Sequence, residues 1–328
     1  MNSIARPYIG TIIGDPNGIG PEVVVRAWTS GRAHAVSRPI LIGSAAAIYN
    51  AIEACGVNAS IRVIDTPDQA SDDPSIISII DKGDLATDFI LPGTSNAACG
   101  YACAMWIDQA TQMVRAGLLD GLTLAPIDSR AMKLAGVLDR VVNVKPGETY
   151  AFLISGALRV AHVTDHLPLR EVCELLSADL IESALMTLDG AMRGWGMAEP
   201  RIVVAGLNPH AQGREEADSI KPGIERARQR GVNAYGPDSP DAIFRQCIEG
   251  KYDAVLAMYH DQGHIAVKTW GFSGNCVLVL GLPYLFLSVA HGTAHDIVGQ
   301  GVADPTMMIN AMALAGSLAA GNGFGDTA

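Results

Sequence analysis

Short apolar runs bounded by polar or turn-forming residues recur along the chain: YIGTIIGD, RPILIGS, IRVIDT, GLTLAP, LRVAHVTDH, RIVVAGLNPH, YDAVLAMYHD and CVLVLGLP. Runs that stay apolar instead of alternating mark strands buried on both faces. Between several of them lie stretches with helical periodicity, PEVVVRAWTS, REVCELLSADLIESALMTLDGAMRGW and DAIFRQCIEG. Strands alternating with amphipathic helices predict an α/β fold with a mainly parallel core. The longest apolar run, Cys276 to Ala290, is broken by Gly281 and Pro283 and is too short to span a bilayer, so it predicts two buried strands. The closing GNGFGDTA reads as a frayed tail.

Composition narrows the class. The chain has 328 residues, enough for two domains or one large one, and its 49% hydrophobic and 17% charged residues are those of a globular protein. A formal charge of −11 argues against a nucleic-acid partner, which would need a basic surface. Six cysteines (Cys55, Cys99, Cys103, Cys173, Cys247, Cys276) form no CxxC pair, so neither a thiolate zinc site nor a disulfide framework is expected. The stretch MNSIARPYIGTIIGDP has no signal-peptide h-region and no membrane span is predicted, so a cytoplasmic protein is expected.

The strand ends carry the first chemical signal. RVAHVTDH closes on His166, VVAGLNPH on His210 and AVLAMYH on His260. Ligands of open α/β sheets sit beyond the carboxyl ends of strands. Three imidazoles converging there would hold one divalent metal and leave positions open for substrate. A single such histidine is more often a surface or core residue, by about four to one; three at equivalent places reverse that balance. Zinc suits such a site best, with cobalt, nickel, iron or magnesium as alternatives.

GDPNGIGPEV, HLPL, GLNPHA, GPDSPDAIF, YDAVLAMYHDQGHI and SVAHGTAHDIVGQGVADP occur in this order. Together they closely resemble the 4-hydroxythreonine-4-phosphate dehydrogenase family, over nearly the whole chain. The resemblance implies an isocitrate/isopropylmalate-dehydrogenase-like α/β fold, with two α/β domains around a cleft: residues 1–127 with 276–328, and a metal-ligand-rich domain of residues 128–275. It implies a homodimer whose active site is shared between subunits, acting on a small hydroxy acid. The family's metal ligands fall on His166, His210 and His260, and its substrate lysine on Lys268. HGTAHDIVGQGVADP looks like the adenosine-binding loop of NAD-dependent isopropylmalate dehydrogenases, which makes His291, Gly292, Thr293, Ala294, Asp296 and Asp304 the expected cofactor contacts. A carboxylate at Asp296 would accept hydrogen bonds from the ribose hydroxyls and repel a 2′-phosphate, which favours NAD over NADP.

The chain also departs from the family. Glu148-Thr149 stands where a substrate-contacting His-Thr pair is usual, Val277 replaces an asparagine, Phe286 an arginine and Ala290 an aspartate. Cations and donors are lost, while phosphate recognition needs them. The expected substrate is therefore non-phosphorylated, such as the cis-dihydrodiol of an aromatic dicarboxylate like terephthalate, contacted by Glu148, Thr149, Lys268, Val277 and Phe286. The expected chemistry is oxidation of a secondary alcohol by NAD with decarboxylation, aided by a divalent metal and by Lys268, with Asp241 and Asp261 as candidate bases. The alternatives are an authentic 4-hydroxythreonine-4-phosphate or related phosphorylated sugar-acid dehydrogenase, and an acyl-phosphate transferase of similar fold.

Overall fold

The computed structural model describes residues 6–141, 144–271 and 275–325. Among these described residues twelve strands are formed: β1 (Tyr8–Ile12), β2 (Arg38–Ile42), β3 (Ser60–Val63), β4 (Ile76–Ile80), β5 (Gly121–Leu124), β6 (Tyr150–Ser155), β7 (Leu158–His162), β8 (Ile202–Ala205), β9 (Ala234–Asp238), β10 (Ala254–Ala257), β11 (Cys276–Leu280) and β12 (Leu285–Val289). The chain divides into two compact units: Met1–Val142 with Pro283–Ala320, and Asn143–Leu282 with Gly321–Ala328. Both are α/β, as the alternating pattern predicts.

The first unit holds strands in the order β3-β4-β2-β1-β5-β12, all parallel. β1, β2, β4 and β5 are buried along nearly their whole length, which is why their sequences run apolar without alternation. The order reverses at β1, whose neighbours β2 and β5 lie on opposite sides, so the crevice beyond the ends of β1 and β5 is the natural place for a ligand.

The second unit holds the order β11-β6-β7-β10-β8-β9. β7, β10, β8 and β9 are parallel, whereas β11, β6 and β7 pair antiparallel. The hydrophobic pattern cannot reveal this change of direction: β6 and β7 are as fully buried as any parallel strand and are joined by a tight turn at Gly156. One expected helix is two, Leu169–Leu175 and Ala178–Gly194, because Ser177 caps the second by accepting from the Leu180 amide (3.3 Å).

The tail is not frayed as far as it is described. Phe324 is buried against Phe152 and Trp195, with ring centroids 6.1 and 5.9 Å away, and the Arg159 guanidinium lies 4.3 Å from its ring. The aromatic ring outweighs the glycines around it; residues 326–328 lie outside the described residues. Four of the six cysteines are buried, and among the described residues none forms a disulfide. No helix among the described residues is long and apolar enough to cross a membrane.

Candidate active site

In the second unit β7 and β10 run side by side, with Ala257 opposite His162. Their exits are stitched together: the Val163 amide donates to Ala257 O (2.9 Å) and Thr164 Oγ1 to Met258 O (2.9 Å). Asp165, His166 and His260 therefore leave the sheet at one place, and their donor atoms lie within 4.8 Å of one another. His260 opens the helix His260–Trp270, and its Nδ1 pairs with Asp261 Oδ1 at 2.7 Å, leaving Nε2 available. That hydrogen bond holds the Asp261 carboxyl below the usual carboxylate range. His166 Nδ1 lies 3.0 Å from Asp165 Oδ2. A tetrahedral divalent ion spaces its donors about 3.3–3.6 Å apart. The side chain of His166 is 81% exposed and free to close the difference. Two imidazoles and a carboxylate suit a first-row divalent metal and leave open positions, so these residues fit the group.

His210 is placed differently. β8 flanks β10 on its other side, so the three strands that precede the three histidines are neighbours in the order β7-β10-β8. Gln262 ties two of their ends, accepting from the Met258 amide (2.7 Å) and donating to Gly206 O (2.8 Å). Yet among the described residues His210 is not grouped with His166 and His260; it is exposed, in the left-handed region at φ 57°. The buried carboxylate of Glu216 imposes that turn by accepting from the amides of Leu207 (2.7 Å) and Asn208 (2.8 Å) and from Asn208 Nδ2 (2.8 Å). Asp241 accepts from Ser239 Oγ (2.7 Å), a bond that, with a lesser contribution from nearby His210, holds its carboxyl below the usual range.

Lys268 is exposed, two turns along the helix from His260, on the stripe that also carries His264. Glu148 is exposed, 4.0 Å from Lys145, and Thr149 Oγ1 closes the same turn by accepting from the Lys145 amide (2.8 Å). Val277 packs against the core of this unit.

In the first unit the loop after β12 carries the expected cofactor residues. Glu22, from GDPNGIGPE, is buried and accepts from the amides of Gly299 (2.6 Å) and Gly301 (3.1 Å). Arg26, one helical turn on, donates to Gly301 O (3.3 Å) and Ala303 O (2.8 Å). The Ile19 amide donates to Thr293 O (2.9 Å), and Gly18 has no room for a side chain, since a Cβ there would lie 2.7 Å from that of Thr293. The glycine-rich turn and the later loop thus form one structure, beside a pocket lined by Pro16, Gly18, Glu22, Ala51, Val298 and Gly299. Asp296 and Gly292 are exposed, and Ala294 is in the left-handed region at φ 41°. His291 donates from Nδ1 to Gly292 O (3.0 Å), and its buried Nε2 has no partner. Asp304 caps the helix Thr306–Ala319 through the Thr306 amide (2.9 Å). Phe286 is 4% exposed within β12, so its ring is committed to packing.

Several residues here are not singled out by the sequence reading. Asp165 precedes His166 directly. His264 stacks on His260, and His162 lies beside both. At the ends of β1 and β5, buried Asp15 and Asp128 lie near His295, whose Nε2 is 3.8 Å from Asp128 Oδ2. Burial, opposed by a hydrogen bond from the Asn17 amide and reinforced by Asp128, pushes the Asp15 carboxyl up to about 6. Asp15, His264 and His295 stand within the family-like segments and His162 and Asp165 within an apolar run, but only their proximity in space shows which groups they join.

Residues 35–315 match the family model described as pyridoxal phosphate biosynthetic protein PdxA. A protein of Novosphingobium aromaticivorans, provisionally named a 4-hydroxythreonine-4-phosphate dehydrogenase, is 54% identical over 97% of each chain. The crystal structure of the 4-hydroxythreonine-4-phosphate dehydrogenase of Klebsiella pneumoniae superposes with a TM-score of 0.83 at 34% identity, over 95% of this chain and 99% of that one. A terephthalate 1,2-cis-dihydrodiol dehydrogenase of Burkholderia xenovorans is also similar, with a TM-score of 0.68 and 30% identity over 95% and 98% of the two chains. With sequence and fold both matching over nearly its whole length, the chain belongs to the PdxA family and is a dehydrogenase acting on a CH–OH group.

Proposed function

We propose that the enzyme oxidises the secondary alcohol of a small, non-phosphorylated hydroxy acid with NAD as hydride acceptor and a divalent metal at His166 and His260, with loss of carbon dioxide. The observation that carries this reading is the convergence of Asp165, His166 and His260 at the ends of two neighbouring parallel strands, with Lys268 on the helix that His260 opens. We assign the third imidazole to His210 of the partner subunit in a homodimer. Its support is that His210 is exposed, held in a fixed turn, and apart from the other two within its own chain. The exposed carboxylate of Asp296 supports NAD over NADP.

When bound, the metal would supply a Lewis acid for the substrate hydroxyl and NAD would supply a hydride acceptor. The chain's own residues hold and orient. Asp261 fixes the tautomer of His260 so that Nε2 faces outward. The Lys268 ammonium binds the substrate carboxylate and offsets the negative charge left on the substrate oxygen as carbon dioxide departs. Asp241 and Asp261 are both held acidic by their hydrogen bonds, which suits them to orient partners more than to remove protons.

The proposed substrate is a cis-dihydrodiol carboxylate of the kind named for the terephthalate enzyme. Glu148, exposed where the family places a cationic partner, supports this. Phe286 and Val277 act by shaping the walls of their units, since both are packed, and neither supplies a cation. The name of the 54% identical relative favours a second reading, a phosphorylated substrate. The two are separated by comparing kcat/KM on 4-hydroxythreonine 4-phosphate and on a terephthalate cis-dihydrodiol, with one metal loaded and NADH followed by absorbance. Losing two charge-assisted contacts at roughly 1.5–3 kcal/mol each predicts a preference of more than about a hundredfold for the dihydrodiol. Efficient turnover of the phosphate ester would transfer the assignment to the second reading.

A further inference from the structure

We infer that His264 is a positioning residue that fixes the ring of the metal ligand His260, with the buried His162 as its footing; this rests on the metal site proposed above. His264 lies one helical turn after His260, and their imidazoles are face to face, with centroids 3.6 Å apart and planes 16° from parallel. Its Nδ1 donates to the backbone oxygen of His260 (3.2 Å), so the stacked ring is anchored to the helix that it supports. His162 lies beside this stacked pair, its centroid 4.9 Å from that of His264 and 6.4 Å from that of His260; it is 0% exposed, its own Nδ1 donating to Ala151 O (3.3 Å).

Two restraints therefore act on His260: Asp261 holds one edge of the ring and His264 covers one face. Between them they stop both ring flip and rotation, so Nε2 is left pointing in one direction. His166 is held by one hydrogen bond to its neighbour Asp165 and a tilted contact with the His260 ring, centroids 4.8 Å apart, and is largely exposed. The site thus combines one fixed ligand with one mobile ligand. In this arrangement His264 does not bind the same ion, because the in-plane lone pairs of nearly parallel rings run side by side and do not converge. Gly263 explains how the footing fits: a Cβ there would lie 2.1 Å from His162 Nε2, so only glycine lets the buried ring pass beneath the first turn of the helix.

The test is cobalt(II) binding to the metal-free full-length protein, followed by the visible absorbance of the bound ion, in wild type, His260→Ala, His264→Ala and His264→Phe, with folding checked by circular dichroism. Loss of a residue that orients a ligand weakens metal affinity by about 10–100-fold. His264→Ala should show that loss, and His264→Phe, which keeps a flat ring on His260, should return to within about threefold of wild type. Wild-type affinity in His264→Ala overturns the inference. So does His264→Phe binding as weakly as His264→Ala, since the imidazole itself would then be required. Unchanged binding in His260→Ala would instead overturn the metal site, which keeps the two failures apart.

Discussion

Burial sets the charge of three histidines. His34 and His264 are pushed down to about 4 and His162 to about 3, each chiefly by burial, while Asp15 is pushed up to about 6 by the same cause. Unfolded imidazoles titrate near 6.5 and the Asp15 carboxyl near 3.8. At pH 5 the unfolded chain therefore holds about three more imidazole protons and about one fewer carboxyl proton, a net uptake of about two protons on unfolding. The histidine contribution to stability is fully present above pH 6.5 and is lost as pH falls towards 4. Asp15 opposes it only between about pH 4 and 6. Urea unfolding of the metal-free protein from pH 4.5 to 7 should show stability rising with pH at a slope of about two protons near pH 5; a flat profile would mean that these imidazoles are already charged in the folded chain. Such environments are invisible in sequence. His162 stands inside an apolar run and His264 one helical turn after His260, but nothing in either position says that both are held neutral.

Among elements, the link between GDPNGIGPE and the loop after β12 shows most plainly what sequence can and cannot give. Each segment was legible as a turn, and neither announced that Glu22 would bind the amides of Gly299 and Gly301. A carboxylate recognising backbone N–H groups leaves no complementary side chain to read at the other end. Replacing Glu22 with Gln keeps one acceptor oxygen and loses the charge, removing about 1.5 kcal/mol or more of support for the loop. NAD binding, measured by calorimetry on Glu22→Gln, should weaken by about tenfold; unchanged affinity would show that the loop holds its shape without this brace. Most strands were legible because a continuous apolar run has one burial solution; β4, β6 and β9 were not picked out, and β3, read as a buried run, is largely exposed at the edge of its unit's sheet. The antiparallel turn at Gly156 was not legible, since direction leaves no trace in a fully buried pattern. The adjacency of β7 and β10, which brings His166 and His260 together, likewise depends on topology and not on any local feature.

At the scale of the molecule, Phe324 is the feature least expected from composition. Its ring closes an aromatic group with Phe152 and Trp195 in the second unit. Phe324→Ala should destabilise that unit by about 3 kcal/mol and shift tryptophan emission to the red as Trp195 meets water. A variant with wild-type unfolding would show that the ring contributes no packing energy. The position of this residue also bears on how the protein is made. The first unit takes its outermost strand, β12, and its final helix from residues beyond 282, and the second takes Phe324 from beyond 320. A ribosome delivers the chain from residue 1 onward, so neither unit can be completed while its carboxyl end is still inside the exit tunnel. Nascent chains stalled before residue 283 would expose one flank of β5 and an unplugged aromatic group together. Such chains would keep apolar surface in water, and emergence of residues 283–324 is the step that lets both units close.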